Sequence, residues 1–322
     1  MRGKAILCNA VFRPFPIGLG RGKTAPMPHT RPLWLIAAPV IFLLLWSAGF
    51  GIAKLGLQHA PPLTLLAMRY VAVLVILLPL AVVMRPPLPR SLRAWVDVAV
   101  VGFLIQVVYF GLCYVAFKSG TSAGAVAIVV CLQPILVALI APRFVGERIS
   151  TRGWIGLALG LGGAALVILS RQGVASGGAF GVICSALALL GITGGTLWEK
   201  RFGVTHHPIS ANLIQYAVGA AFCVPMAWAT ERFEVIWNWE FAWVLFYLVV
   251  ANSLLAMTLL LAMIRAGEVS RVSALFYLVP PLSALFAWPL LGEVMPPLGW
   301  AGMILAAVGV ALVSRRAKAP GA

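Results

Sequence analysis

The sequence predicts an all-α membrane protein with ten transmembrane helices, built as two five-helix repeats inserted in opposite orientations. Three observations carry this prediction: ten apolar runs long enough to span a bilayer, an internal repeat at a fixed offset of 146 residues, and Lys and Arg concentrated in alternate loops. Hydrophobic residues fill 62% of the 322 positions and charged residues only 10%, with a mean hydropathy of +1.01. A soluble domain of this size could not bury so much apolar surface.

A spanning helix needs about 20 mostly apolar residues. Runs that meet this fall at 33–53, 63–84, 95–117, 121–144, 152–170, 178–198, 210–230, 241–264, 270–291 and 297–314. Between them stand residues that break helices readily at a water interface, as at Pro61-Pro62, Arg85-Pro86-Pro87, Ser176-Gly177-Gly178 and Pro296-Pro297. The loops are short, so the helices form one bundle. It divides into a first repeat over 33–170 and a second over 178–316.

The repeat is read by sliding the chain along itself. Lys54 falls on Lys200, Pro62 on Pro208, Tyr70 on Tyr216, Pro79 on Pro225, Pro134 on Pro280, Gly146-Glu147 on Gly292-Glu293 and Trp154 on Trp300, without a gap. Tandem duplication in an apolar chain is the internal symmetry of secondary transporters. Orientation follows from the excess of Lys and Arg in cytoplasmic loops. With the N-terminus inside, nineteen basic residues lie on the cytoplasmic side and only Lys54, Lys118, Arg171 and Arg232 lie outside. Both termini are therefore expected in the cytoplasm. Five helices per repeat, an odd number, then turn the second copy over relative to the first.

Residues 1–32 hold six basic groups and five prolines but no signal-peptide core, since the run Ala5–Phe12 is short and contains Asn9. They read as a disordered basic cytoplasmic tail, or as a stretch upstream of the true start, because the repeating pattern opens near Leu33.

Composition also excludes functions. The net charge of +16 is scattered between apolar runs, without the basic patch a nucleic-acid partner requires. Cys8, Cys113, Cys131, Cys184 and Cys223 are dispersed, with no CxxC spacing and no His nearby, and read as packing residues. His206-His207, the one His cluster, has no acidic neighbours suited to a metal, so no metal, cofactor or membrane-enzyme chemistry is expected. A channel or a purely structural membrane protein is the remaining alternative to a carrier.

Several landmarks in order resemble the EamA-type transporters of the drug/metabolite transporter superfamily over residues 33–316. They are Leu45-Trp46-Ser47 followed by Lys54, the stretch from Pro62-x-Thr64 to Arg69, Gln133-Pro134 and Gly146-Glu147-Arg148, repeated more weakly through Lys200, Pro208, Gln215, Pro280 and Gly292-Glu293. The resemblance implies a ten-helix inner-membrane carrier of small organic molecules, commonly an exporter of amino acids, other metabolites or drugs. It leaves the substrate open.

Polar side chains inside hydrocarbon mark the candidate substrate site. Gln106 and Asn252 match under the repeat and fall at mid-depth in the third and eighth helices, where they either line the pathway or hydrogen-bond across helices as packing. Arg69, at a position where the family often carries arginine, matches Gln215 under the repeat. Arg69 would hold a substrate carboxylate or phosphate, or else pair internally or snorkel to the interface. Tyr109, three residues after Gln106, is expected on the same face. With Tyr70, Tyr216 and Tyr277 it would supply an amphipathic lining for a substrate with an apolar body. Trp46 lies deep enough to join it, whereas Trp34, Trp95, Trp237, Trp239, Trp243 and Trp300 sit at helix ends as an interfacial belt.

Pro134 and Pro280 fall in mid-helix and are expected to kink the fourth and ninth helices, as gating points or as static shape. Gln133, just before the first, would satisfy freed backbone groups or face substrate. Glu147, Glu293, Glu199 and Glu268 read as helix-end residues and Asp97 opens the third helix, which leaves no carboxylate at mid-membrane for proton coupling. Gly156, Gly160 and Gly163 in the fifth helix, with Gly302, Ala306 and Gly309 in the tenth, form small-residue faces for close packing or for a homodimer contact.

Overall fold

The computed structural model describes residues 33–121, 126, 129–147, 149–170, 178–203, 206–266, 269–282, 286 and 296–314. The tail 1–32, Arg148, Arg171, Glu268, Gly292 and Glu293 lie outside these residues. All elements among them are helical: α1 (Leu33–Gly56), α2 (Pro62–Met84), α3 (Leu92–Lys118), α4 (Gln133–Phe144), α5 (Thr151–Leu169), α6 (Gly178–Gly203), α7 (Pro208–Glu231), α8 (Trp239–Ala266), α9 (opening with Val269–Ala274) and α10 (Pro297–Ser314). Six are long and apolar enough to cross a membrane, namely α1 from Ala37, α2, α3, α6, α7 and α8.

The helix starts follow from local chemistry. Pro62 and Pro208 open α2 and α7, where proline's missing N–H costs nothing. Ser91 and Asn238 cap α3 and α8 by accepting from Ala94 N and Phe241 N. Two starts, those of α2 and α9, are capped by a carboxylate from the other half of the chain. Glu231, at the end of α7, accepts from Leu63 N at 3.2 Å, Thr64 N at 2.7 Å and Thr64 Oγ1 at 2.9 Å. Glu147, just after α4, accepts from Val269 N at 2.8 Å and from Ser270 N and Oγ at 3.2 and 3.1 Å. Each carboxylate meets the orphan amides and the positive dipole end of a helix distant in sequence.

The unbroken helix expected over 121–144 is not what forms. The chain turns at Cys131-Leu132 and α4 starts afresh at Gln133, with Leu132 as N-cap, so Pro134 lies in a first helical turn. Pro280 follows a 3-10 turn at Leu275–Leu278, the matching place in the second copy. In both copies the strain that proline would place on a continuous helix is avoided by interrupting the helix just before it.

Two seams hold the bundle. α5 and α10 pack through their small residues: a Cβ on Gly156 would lie 2.7 Å from Gly309 O, and one on Gly163 would collide with the backbone of Ala306 and Gly302. α2 packs on α7, where a Cβ on Gly219 would lie 2.9 Å from both the Tyr70 ring and Gln106 Cβ. Small residues let helix backbones approach, which is what drives association when lipid removes the hydrophobic difference. Because overpacking costs typically 1–3 kcal/mol and here strikes backbone, Gly163→Leu is expected to lower the unfolding temperature in detergent by several degrees or more. Gly162→Leu, whose added Cβ meets only Leu305 Cδ2 at 3.9 Å, is the neutral control. Equal melting temperatures for the two variants would rule out this seam as a stability determinant.

Candidate functional site

α3 and α8 leave α-geometry at matching points. Phe103–Tyr109 and Leu248–Ala256 are π-helical, and under the 146-residue offset the two stretches coincide to within a residue at either end. A π turn bonds i to i+5, is rare, and is frequent at functional sites. Each stretch holds one of the matched amides, Gln106 or Asn252. Carbonyls within the two turns accept from the neighbouring helix pair: Tyr70 OH donates to Gln106 O at 2.7 Å and Tyr216 OH to Ser253 O at 2.9 Å. Both tyrosines are fully buried, with rings 5.7 Å apart.

Arg69 lies beside this pair, with no solvent exposure. Its Nε donates to Ser253 Oγ at 2.6 Å, Nη2 to Asn252 Oδ1 at 2.8 Å and Nη1 to Tyr114 OH at 3.4 Å, and the guanidinium sits 4.5 Å from the Phe110 ring centre. The side chain therefore turns inward and does not snorkel. Among the described residues no carboxylate lies within ion-pair distance of it. Neutral acceptors and an aromatic face hold a cation whose placement in a helix centre costs about 2.5–3.5 kcal/mol on insertion scales.

Around this centre the structure sorts the residues singled out by sequence. Trp46 stacks on Tyr109, with ring centres 6.4 Å apart, and also meets Phe110, so the aromatic wall runs on to Arg69. Tyr109 and Gln106 do not share a face as three-residue spacing in an α-helix would give. The π turn between them reduces the rotation per residue, and Gln106 Cβ faces Gly219 of α7 while Tyr109 meets Trp46 of α1. Among the described residues the buried amides of Gln106 and Gln133, the hydroxyls of Tyr109 and Tyr277 and Trp46 Nε1 lack hydrogen-bond partners. Gln133 and Tyr277 are buried but make no hydrogen bond or ring contact with the Arg69 group, and Tyr277 packs on α5 at Gly160. A surface groove of about 600 Å³ lined by Leu74, Leu78, Leu88, Trp95, Val96 and Ala99 is almost wholly apolar and includes none of these groups.

Gln215 goes elsewhere. Its Nε2 lies 3.5 Å from Glu199 Oε2, and Glu199 pairs with Arg265 Nε at 2.6 Å. Sequence spacing puts Glu199 at a helix end, and it lies in the π turn Glu199–Gly203 that ends α6, with its carboxylate completely buried. Arg265 also donates through Nη1 to His206 O at 2.7 Å. His206 and His207, expected to be solvated, are partly covered, and burial followed by the Arg265 charge holds both below the ordinary imidazole pKa. No group of three or more metal-ligating side chains occurs among the described residues.

Sequence reading missed Ser253, Tyr114 and Phe110 as partners of Arg69. Ser253 adjoins a flagged residue, and Phe110 and Tyr114 follow Gln106 at four-residue spacing, so the signal was present but unremarkable among apolar neighbours.

A model of the EamA-like transporter family matches residues 32–169 and again 179–315. The "Uncharacterized inner membrane transporter YedA" of Escherichia coli K12 is 23% identical over 288 residues, covering 89% of this chain and 93% of the relative. The "Probable amino-acid metabolite efflux pump" of Salmonella typhimurium is 24% identical over 285 residues, covering 84% and 91%. A crystal structure superposes with a TM-score of 0.73 at 18% identity, covering 87% of this chain and 96% of the other, a likeness of fold.

The two matched amides should separate on mutation. Asn252→Ala removes an acceptor from a buried cation and is expected to cost about 1.5–3 kcal/mol. Gln106→Ala removes an amide without a partner and should cost less. Denaturant titrations in detergent that put Gln106→Ala level with Asn252→Ala would contradict the assignment of Asn252 as the anchor of Arg69.

Proposed function

The chain belongs to the EamA-like transporter family, and from that membership we propose that it is an alternating-access carrier that exports small organic molecules of the amino-acid type. The protein is a multi-pass membrane transporter, and its family and relatives are transporters and not enzymes. The finer reading is a ten-helix inverted repeat with both termini in the cytoplasm, whose halves rock about a site between the two π turns. One observation supports it above the others: a fully buried arginine held, among the described residues, by neutral acceptors, between two helix distortions that coincide under the internal repeat. Arginine's planar fork suits carboxylate, and the Trp46, Tyr109 and Phe110 wall suits an apolar body beside it. Gln106, Tyr70, Tyr216 and Asn252 would position that group, with Gln133 and Tyr277 farther along the pathway and Gln215 on its other side. The interruptions before Pro134 and Pro280 are the gating points. The name of the Salmonella relative favours amino-acid metabolites as the class to test first.

The test is uptake into proteoliposomes loaded with unlabelled amino acids. Saturable, competable flux is expected in the wild type. Arg69→Lys, which keeps the charge but loses the fork, and Gln106→Ala should each lower flux at least tenfold while the protein stays monodisperse. Flux that never saturates would mark a pore, and wild-type rates in both variants would move the site elsewhere.

A further inference from the structure

The repeat makes the two ends of a carrier alike except where the copies differ, and the largest difference among the buried charges is Glu199 with Arg265. Under the 146-residue offset these positions correspond to Ala53 and Ser119. Ala53 is an apolar core residue, and Ser119 Oγ is spent on its own helix, donating to Ala116 O at 2.8 Å. One end of the bundle therefore carries a buried ion pair between the last turns of α6 and α8, and the matching place at the other end carries none among the described residues.

We propose that Glu199 and Arg265 form a latch across the cytoplasmic end of the pathway, so that the resting carrier is closed inside and opens to the outside. The inference rests on the carrier reading and its orientation. Three observations carry it. The pair joins helices from different parts of the bundle, α6 and α8, and Arg265 reaches on to His206 O in the link to α7. The Glu199 carboxylate fills the space above Gly203, where a Cβ would strike it, so the π turn is shaped around the paired acid. Gln215 Nε2 approaches the same carboxylate at 3.5 Å, and the next residue, Tyr216, donates to Ser253 beside Arg69. A ligand that shifts α7 at Tyr216 thus acts on the latch through Gln215. Buried ion pairs contribute little to stability compared with well-packed apolar side chains, and their best-attested use is in fixing register or a switch.

Hydrogen exchange by mass spectrometry on the full chain in detergent, without any solute, tests this. Glu199→Gln should raise exchange at the ends of α6 and α8 near Gly203 and Ala266 at least tenfold. It should also lower exchange at the opposite ends of α1 and α3, because alternating access closes one side as it opens the other. Arg265→Lys should resemble the wild type, and the swap Glu199→Arg with Arg265→Glu should restore the wild-type pattern. If Glu199→Gln does not accumulate, Arg265→Gln opens the latch from its other partner and is read in the same way. Exchange that rises at both ends together would make the pair a plain stabiliser and overturn the latch, as would exchange unchanged from the wild type. A wild-type protein that moves no solute in proteoliposomes would overturn the carrier reading instead.

Discussion

Within hydrocarbon every backbone amide and carbonyl must be satisfied by the protein itself, and most of this chain meets that demand with uninterrupted helices. α3 and α8 do not. Each contains a π turn, and in each a backbone carbonyl of that turn accepts from a tyrosine of α2 or α7. Satisfying those carbonyls fixes the contact between the two helix pairs. It brings Tyr70 and Tyr216 together, requires Gly219 opposite Tyr70, and leaves Asn252 and Ser253 turned toward Arg69. The polar centre is thus built around two matched backbone irregularities.

Charge is managed by a different rule at each depth. Arg69 is held by hydroxyls, an amide oxygen and an aromatic face, which stabilise the cation without neutralising it. Near one end of the bundle Glu199 and Arg265 neutralise each other. At the helix starts Glu147 and Glu231 meet backbone amides, where the helix dipole supplies the opposing partial charge. Among the described residues the Arg69 cation is fully buried with no ion within pairing distance, bounded by hydroxyls, an amide and rings.

Much of this could be read from residues alone, because hydropathy and duplication are properties of the chain. The spans at α2, α7 and α10 fell within about two residues of expectation, since Pro62, Pro208 and Pro297 announce their starts. The offset that pairs Gln106 with Asn252 also pairs the two π turns. The turns themselves carry no residue signature, so the face assigned to Tyr109 was wrong. Glu199 does lie in the last turn of α6, as its spacing implied, but its complete burial against Arg265 does not follow from spacing. The bond between Arg69 and Ser253 joins residues 184 positions apart, which no local spacing reveals.

The crossed caps bear on biosynthesis. The amides of Leu63 and Thr64 open the second helix to leave the ribosome, but the carboxylate that accepts from them belongs to Glu231, near the end of the seventh. Glu147 has the opposite timing, being made well before the start of α9 that it caps. During insertion the first half must therefore wait with one helix end open until the chain has passed Glu231, relying on water or lipid headgroups for those amides. The second half finds its cap already in place. The two stretches that match one family model, 32–169 and 179–315, are thus unequal in the order of their completion, since each contributes a helix cap to the other.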